Sequence, residues 1–405
     1  MSYNAREPGA PATNGGVSLC VPHLGGNESA YIEECIRTNF VSSVGQFVGR
    51  FERAMTEYVG TTHAIATVNG TAALHIALIV AGVEADDEVI VSTLTFISPV
   101  NAIRYVGAWP VFIDAEPKYF QMDVSRLKDF FESQCESAGG VVHNRVTGRR
   151  VRAIIPVHIL GHPVDMDPLL ELARRYGLVV IEDATESLGA RYKGAMVGTL
   201  GDVACLSFNG NKLITTGGGG MIVTSDDAMA KRARYLTTQA KDDATEFIHG
   251  AVGYNYRLTN VAAAMGCAQM ERIDEHIADK RRIAQRYYEH FSKLPGVRPM
   301  QQAAWAESVF WLYTILLDSE RFPDGSRPLM HVLDSRGIQT RPLWQPVHLS
   351  PAHTPNGARC SVAEHLQRNA LSIPSSVGLT EEDQERVIEG VGDFASASAT
   401  HASTS

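Results

Sequence analysis

The sequence predicts an α/β fold: a large mixed, mostly parallel sheet with helices on its faces, followed by a smaller α+β domain. Three observations predict it. Between residues 63 and 114 short apolar strands alternate with helical spacing, the pattern of parallel strands joined by crossover helices. The apolar run 178–181 ends directly in Glu182-Asp183, and ligands of open α/β sheets gather at such strand ends. After Pro295 the alternation stops, and a strand-like run at 310–317 is followed by separate short helices. The expected division is a loose tail at 1–16, a large domain at 17–270, a small domain at 271–393 and a disordered tail at 394–405.

Taken in order, helical spacing covers 24–38 and 46–58, with a loop at 39–45 between them. A strand at 63–68 runs into Asn69-Gly70-Thr71 and an Ala-rich helix. Glycine permits the tight turn, and the threonine hydroxyl stands beside free helix N–H groups, which makes an anion site; alone, the same residues read more readily as a plain N-cap. The run 87–92 is a strand, and Leu94-Thr95-Phe96 leads into the next helix. Another strand occupies 109–114, and 133–152 reads as an inserted loop or small hairpin. The core resumes at 153–158, and a helix at 167–176 is stopped by Gly177. Strands at 203–208 and 220–224 enclose Lys212 and the glycines 217–220. A lysine on such a turn stands at the edge of a core, where partial desolvation frees its amine to attack a carbonyl; the plainer alternative is a solvated loop lysine. A helix at 226–237, a polar loop to 250 and one long helix at 259–288 follow. A helix at 329–336, a loop at 340–348 and a last helix at 380–390 complete the chain.

Composition narrows the function classes. The 36 basic residues are outnumbered by 45 acidic ones and form no run, so nucleic acid is not an expected partner. No apolar run is long enough to span a membrane, and the N-terminal residues lack the apolar centre of a signal peptide. Six cysteines, at 20, 35, 135, 205, 267 and 360, show no paired spacing. Neither a metal site nor a disulfide framework is expected, and a reducing cytoplasm fits.

Three features converge: a phosphate-type helix start at Gly70-Thr71, an acid at a strand end at Asp183, and a lysine on a turn at Lys212. Pyridoxal 5'-phosphate needs these three. The lysine condenses with its aldehyde, the acid keeps its ring nitrogen protonated, and the helix start holds its phosphate. Phe96 is placed to cover the ring face.

On these residues the chain resembles the DegT/DnrJ/EryC1/StrS sugar aminotransferases, which have the aspartate-aminotransferase fold (type I). The resemblance runs from about Ser43 to Val387. It is carried by Asn69-Gly-Thr-Ala-Ala-Leu-His75, Leu94-Thr-Phe96, Glu182-Asp-Ala-Thr-Glu-Ser-Leu-Gly189, Ser207-Phe-Asn-Gly-Asn-Lys212, the glycines to Gly220, Gly253-Tyr-Asn-Tyr-Arg-Leu258 and Arg341-Pro-Leu-Trp-Gln-Pro-Val-His-Leu349. It implies that Lys212 bears the cofactor and moves the proton, and that Asp183 binds the ring nitrogen. It assigns the phosphate to Gly70, Thr71 and Ser207, and the ring face to Phe96. Asn255 would reach the cofactor phosphate of a neighbouring subunit in a homodimer. Arg257, Trp344 and His348 would line a sugar-nucleotide pocket. Glu186 stands where many members carry His or Gln near the cofactor's 3-hydroxyl, which is similar to GDP-perosamine synthases and other enzymes that aminate C4 of 4-keto-6-deoxyhexoses; Asn209-Gly-Asn-Lys212 and Phe40-Val-Ser-Ser-Val-Gly45 point the same way, and the resemblance is nearest to the C4 aminotransferases of the legionaminic acid, bacillosamine and perosamine routes. The implied reaction takes an amino group from L-glutamate to such a nucleotide-linked sugar, UDP- or GDP-linked and with or without a 2-acetamido group. A dehydratase on the same fold, in which histidine replaces the lysine, and a non-catalytic sugar-nucleotide-binding regulator are the alternatives. Among lesser candidates, His75 reads as a packed histidine, His158 as either structural or substrate-facing, Asn260 as the cap of the long helix, and Cys205 as core.

Overall fold

The computed structural model describes residues 15–243, 245–353 and 359–402; most of the expected N-terminal tail lies outside them. Seven strands form the main sheet, in the order His63–Thr67, Gly220–Thr224, Val203–Ser207, Val179–Asp183, Val151–Ile155, Glu88–Ser92, Trp109–Ile113. Four neighbouring pairs are parallel, and only Gly220–Thr224 runs against its neighbours. The four strands Glu88–Ser92, Val151–Ile155, Val179–Asp183 and Val203–Ser207 are buried nearly throughout, which is why they read as mostly apolar runs. The reversed strand is the return leg of the Lys212 turn: Ser207 pairs with Gly220, so the turn opens at the end of the sheet where Asp183 also lies.

A second, four-stranded antiparallel sheet joins Val297–Pro299, Tyr313–Leu317, Ala370–Ile373 and Arg341–Pro342. Residues 17–21 pair with this part of the molecule, although the sequence reading assigns them to the large domain. Val17 exchanges backbone bonds with Gly337 and Gln339, and the Leu19 carbonyl accepts from Ser375.

Three expectations are corrected. The single helix at 259–288 is two, Asn260–Met270 and Ile273–Phe291. The break falls where Glu271 is drawn to Asn27, Tyr31 and Arg50, while Arg272 pairs with Glu275. Second, Asn260 does not cap the helix it begins; Thr259 does, accepting from the Ala262 N–H. Asn260 is buried, and its Oδ1 instead accepts from the Phe47 N–H, in the first turn of the helix Gln46–Val59. Third, residues 394–402 of the expected tail belong to the helix Glu381–Ala402, and 403–405 lie outside the described residues. Phe394 stacks on Phe322 at 5.5 Å and Ala395 is buried, so packing rather than composition anchors the last part of the helix, in which alanine alternates with weaker helix formers. A helix absent from the sequence reading, Val124–Gln134, is capped by Asp123, and the insertion at 133–152 contains the hairpin Cys135–Ala138/Val141–Asn144.

Candidate active site

The helix Gly70–Val80 starts where the strand His63–Thr67 ends. Asn69 is its N-cap, with Oδ1 accepting from the Ala72 N–H at 2.8 Å and its carbonyl taking the Ala73 N–H. Gly70 and Thr71, whose amides precede any intrahelical partner, line a cavity of about 520 Å³. Glycine is required here by close approach. A Cβ on Gly70 would lie 2.9 Å from the Ser207 Cβ, and one on Gly220 would lie 2.4 Å from the Asn69 carbonyl carbon. Gly220→Ala is therefore expected to push the reversed strand off the helix start. Overpacking of this kind costs about 1–3 kcal/mol, read as a lower melting temperature; an unchanged melt would show that the strand can yield.

Asp183 and Lys212 line the same cavity, with Thr71, Phe96, Glu186, Ser207 and Trp344. Asp183 ends its strand and is 2 % exposed. Its Oδ1 accepts from the Thr185 N–H at 3.2 Å. Burial pushes its carboxyl up from the ordinary aspartate value, with Thr185 and then the Lys212 charge pulling the other way. Lys212 Nζ lies 3.5 Å from Glu186 Oε1 and 3.9 Å from the centroid of the Trp311 ring, over its face. Glu186 is pushed up by burial and drawn back by Lys212. Its second oxygen accepts from the Leu160 N–H at 2.8 Å. Leu160 holds a φ of 60°, a strained value for a leucine, in the 3-10 turn Ile159–Gly161. The turn carrying Lys212 is tied down along its length: Phe208 bonds Gly219 and Thr216, Thr215 bonds Gln269, and Leu213 and Ile214 are buried.

Not every expected residue joins this cavity. Asn255 and Arg257 are exposed, their backbones bridged to Thr238 and Thr67. His348 is buried with both ring nitrogens engaged, Nδ1 with Thr93 Oγ1 at 2.7 Å and Nε2 with Glu364 at 3.2 Å. That satisfied ring gives it a place in packing rather than in the pocket wall, where the sequence reading put it. His158 is likewise structural: its Nδ1 accepts from the Val164 N–H, which leaves Nε2 to donate to the fully buried Glu182. Glu182 also takes three backbone N–H groups, from Gly198, Leu200 and Gly201, and so holds ionised against its own desolvation. His75 packs edge-on against Tyr105, Tyr254 and Tyr256, and Cys205 is core. Trp311 and Thr185 are wall residues that the sequence reading missed. Thr185 has a local signal, standing two residues after an aspartate that can accept its N–H; Trp311 has none, since it lies within the apolar run 310–317 that reads as strand core.

Among the described residues no three metal-ligating side chains come together, and no helix is long and apolar enough to cross a membrane.

The sequence matches the DegT/DnrJ/EryC1/StrS aminotransferase family over residues 22–392. It is 42% identical over 375 residues to a GDP-perosamine synthase of Caulobacter vibrioides, covering 92% of this chain and 96% of that one. A GDP-perosamine synthase of Escherichia coli O157:H7 is 37% identical over 373 residues, covering 92% and 97%. The fold superposes on the crystal structure of the aminotransferase TlmJ from Streptoalloteichus hindustanus with a TM-score of 0.85 at 27% identity, covering 95% of this chain and 100% of that one.

Proposed function

The chain belongs to the DegT/DnrJ/EryC1/StrS aminotransferase family, and from that premise we propose that it transfers the amino group of L-glutamate to C4 of a nucleotide-linked 4-keto-6-deoxyhexose, with pyridoxal 5'-phosphate as cofactor. The observation that carries the reading is the meeting, in one cavity, of a lysine, a buried acid and a helix start. The two relatives named for a GDP-linked product support a GDP-sugar over a UDP-sugar.

The residues present fit the cofactor. The cavity has two amide donors at a helix N-terminus, with Ser207 and Thr71 beside them, for a phosphate. Asp183 is a buried acid facing the cavity whose anion is disfavoured by burial, so a cationic partner would stabilise it, which suits a protonated ring nitrogen. Phe96 stands 52% exposed at the cavity wall, an apolar face awaiting cover. When bound, the cofactor supplies an aldehyde to carry the amino group and an electron-withdrawing ring.

The protein supplies the rest. Lys212 takes the proton from the donor's α-carbon and later returns one to the sugar's C4. Glu186, held by the Leu160 N–H, faces the Lys212 amine and steadies its position between those transfers. Asp183 holds the proton on the ring nitrogen. The walls formed by Trp311 and Trp344, stacked at 7° with centroids 6.5 Å apart, shield the amine from water. We place Asn255 and Arg257 at the site of a second copy in a homodimer, since in this chain both are exposed and outside the cavity.

The test is a turnover panel of GDP- and UDP-linked 4-keto-6-deoxyhexoses with glutamate, read by mass. The expected result is one 2-oxoglutarate per aminated sugar, with GDP-sugars preferred. Loss of the sugar oxygen without nitrogen gain would instead mean a dehydratase. Tight sugar-nucleotide binding with no exchange from any amino donor would mean a regulator.

A further inference from the structure

One fully buried cation has no part in the reaction as described. Lys280, on the helix Ile273–Phe291, is 2 % exposed. Its Nζ donates to the carbonyls of Trp311, at 2.7 Å, and Ser375, and lies 3.8 Å from the Cys20 sulfur. The adjacent Asp279 is turned away, toward Arg282 and the Gly378 N–H. Burying an amine among carbonyls is costly, and burial pulls its pKa down. A methionine would fill the space without that cost, though it would leave two buried carbonyls without a donor.

Those contacts lead back to the active site. The Trp311 indole N–H donates to the Asn211 carbonyl at 2.6 Å, and its ring lies under Lys212 Nζ. Cys20 Sγ donates to the same Asn211 carbonyl, at 3.2 Å. Asn211 immediately precedes Lys212. The carbonyl oxygen of the Asn211–Lys212 peptide is thus gripped by two side chains whose residues both contact Lys280. Three distant segments, 20, 311 and 375, close a ring around that one ammonium.

We propose that Lys280 is a positioning residue of the active site, acting through Trp311 to hold the Asn211–Lys212 turn against the cavity; this rests on the reading of Lys212 as the reacting amine. The simpler role, cementing the second sheet to its helix, predicts loosening at 313–317 and 370–376 alone.

Amide hydrogen exchange on cofactor-free protein separates the two, and its outcome does not depend on whether the chain transaminates. In Lys280→Met, exchange across 208–216 is expected to rise about tenfold, and Trp311→Phe, which lacks the indole donor, is expected to do the same. The double variant is expected to add nothing to either single one, because both break one chain of contacts. Wild-type protection of 208–216 in Lys280→Met, or additive effects in the double variant, overturns the proposal. If Lys280→Met does not fold, Lys280→Gln replaces it.

Discussion

Lys212→Ala is expected to lose at least roughly 10²–10⁴ in turnover, the range carried by one positioned proton-transfer side chain, while the protein still folds. Alanine removes the amine that faces Glu186 and Trp311 and leaves the backbone of the turn bonded as before. Deleting the cation also leaves Glu186 buried without its 3.5 Å partner, so its carboxyl should hold a proton more tightly. The loaded variant should lose the visible absorption band of the wild type. An unchanged band would mean that the amine is not where the cofactor attaches. The same variant tests the homodimer. Mixed with Asn255→Ala and allowed to exchange subunits, it should regain part of the activity, because a hybrid dimer carries one site with both residues intact. No recovery after demonstrated exchange would place Asn255 outside the site.

Asp183→Asn is expected to lower turnover by roughly 10²–10³, the cost of losing about 2–4 kcal/mol of charge stabilisation aimed at a developing transition state. The amide keeps the size and can still accept the Thr185 N–H, but it cannot pair with a cation. Stability should move the other way. Burial raises the Asp183 pKa in the folded, cofactor-free chain. Between the ordinary aspartate value and that raised value the native state binds more protons than the unfolded one, so stability falls as pH rises through the window. Above it the cost of the buried anion is fully present, and asparagine does not carry it. Cofactor-free Asp183→Asn should therefore melt at or above wild type near neutral pH, with the gap closing on acidification. A cap role for Asp183 predicts the opposite pair, a loss of about 1 kcal/mol in stability with turnover largely intact.

Asp183, Lys212 and Gly70-Thr71 were legible because each sits where a periodic pattern stops. An apolar strand that ends in an acid, a lysine between two strands, and a glycine between strand and Ala-rich helix are all written in a few consecutive residues. Parallel order, too, follows from local alternation, since a crossover helix leaves little other way to pair the strands. The sequence by itself therefore determined the fold class and the chemical identity of the three groups that meet at the end of the sheet.

Tertiary structure decided what those groups touch. Glu186 meets Lys212 only because a strained Leu160 turn, 26 residues upstream, offers it an N–H. Trp311 reaches Asn211 across 100 residues, and Lys280 reaches Cys20 across 260. Asn260 looked like a cap for its own helix and caps another, 213 residues away, because the two helices pack together and the side chain points across the contact. His348, expected at the pocket wall, turns inward to Thr93 and Glu364. Spacing along a chain records only neighbours one or two helical turns apart. Which buried polar group finds which partner is settled by packing, where each unmet donor or acceptor costs about 1–3 kcal/mol, and that cost is weighed over contacts the linear pattern does not contain.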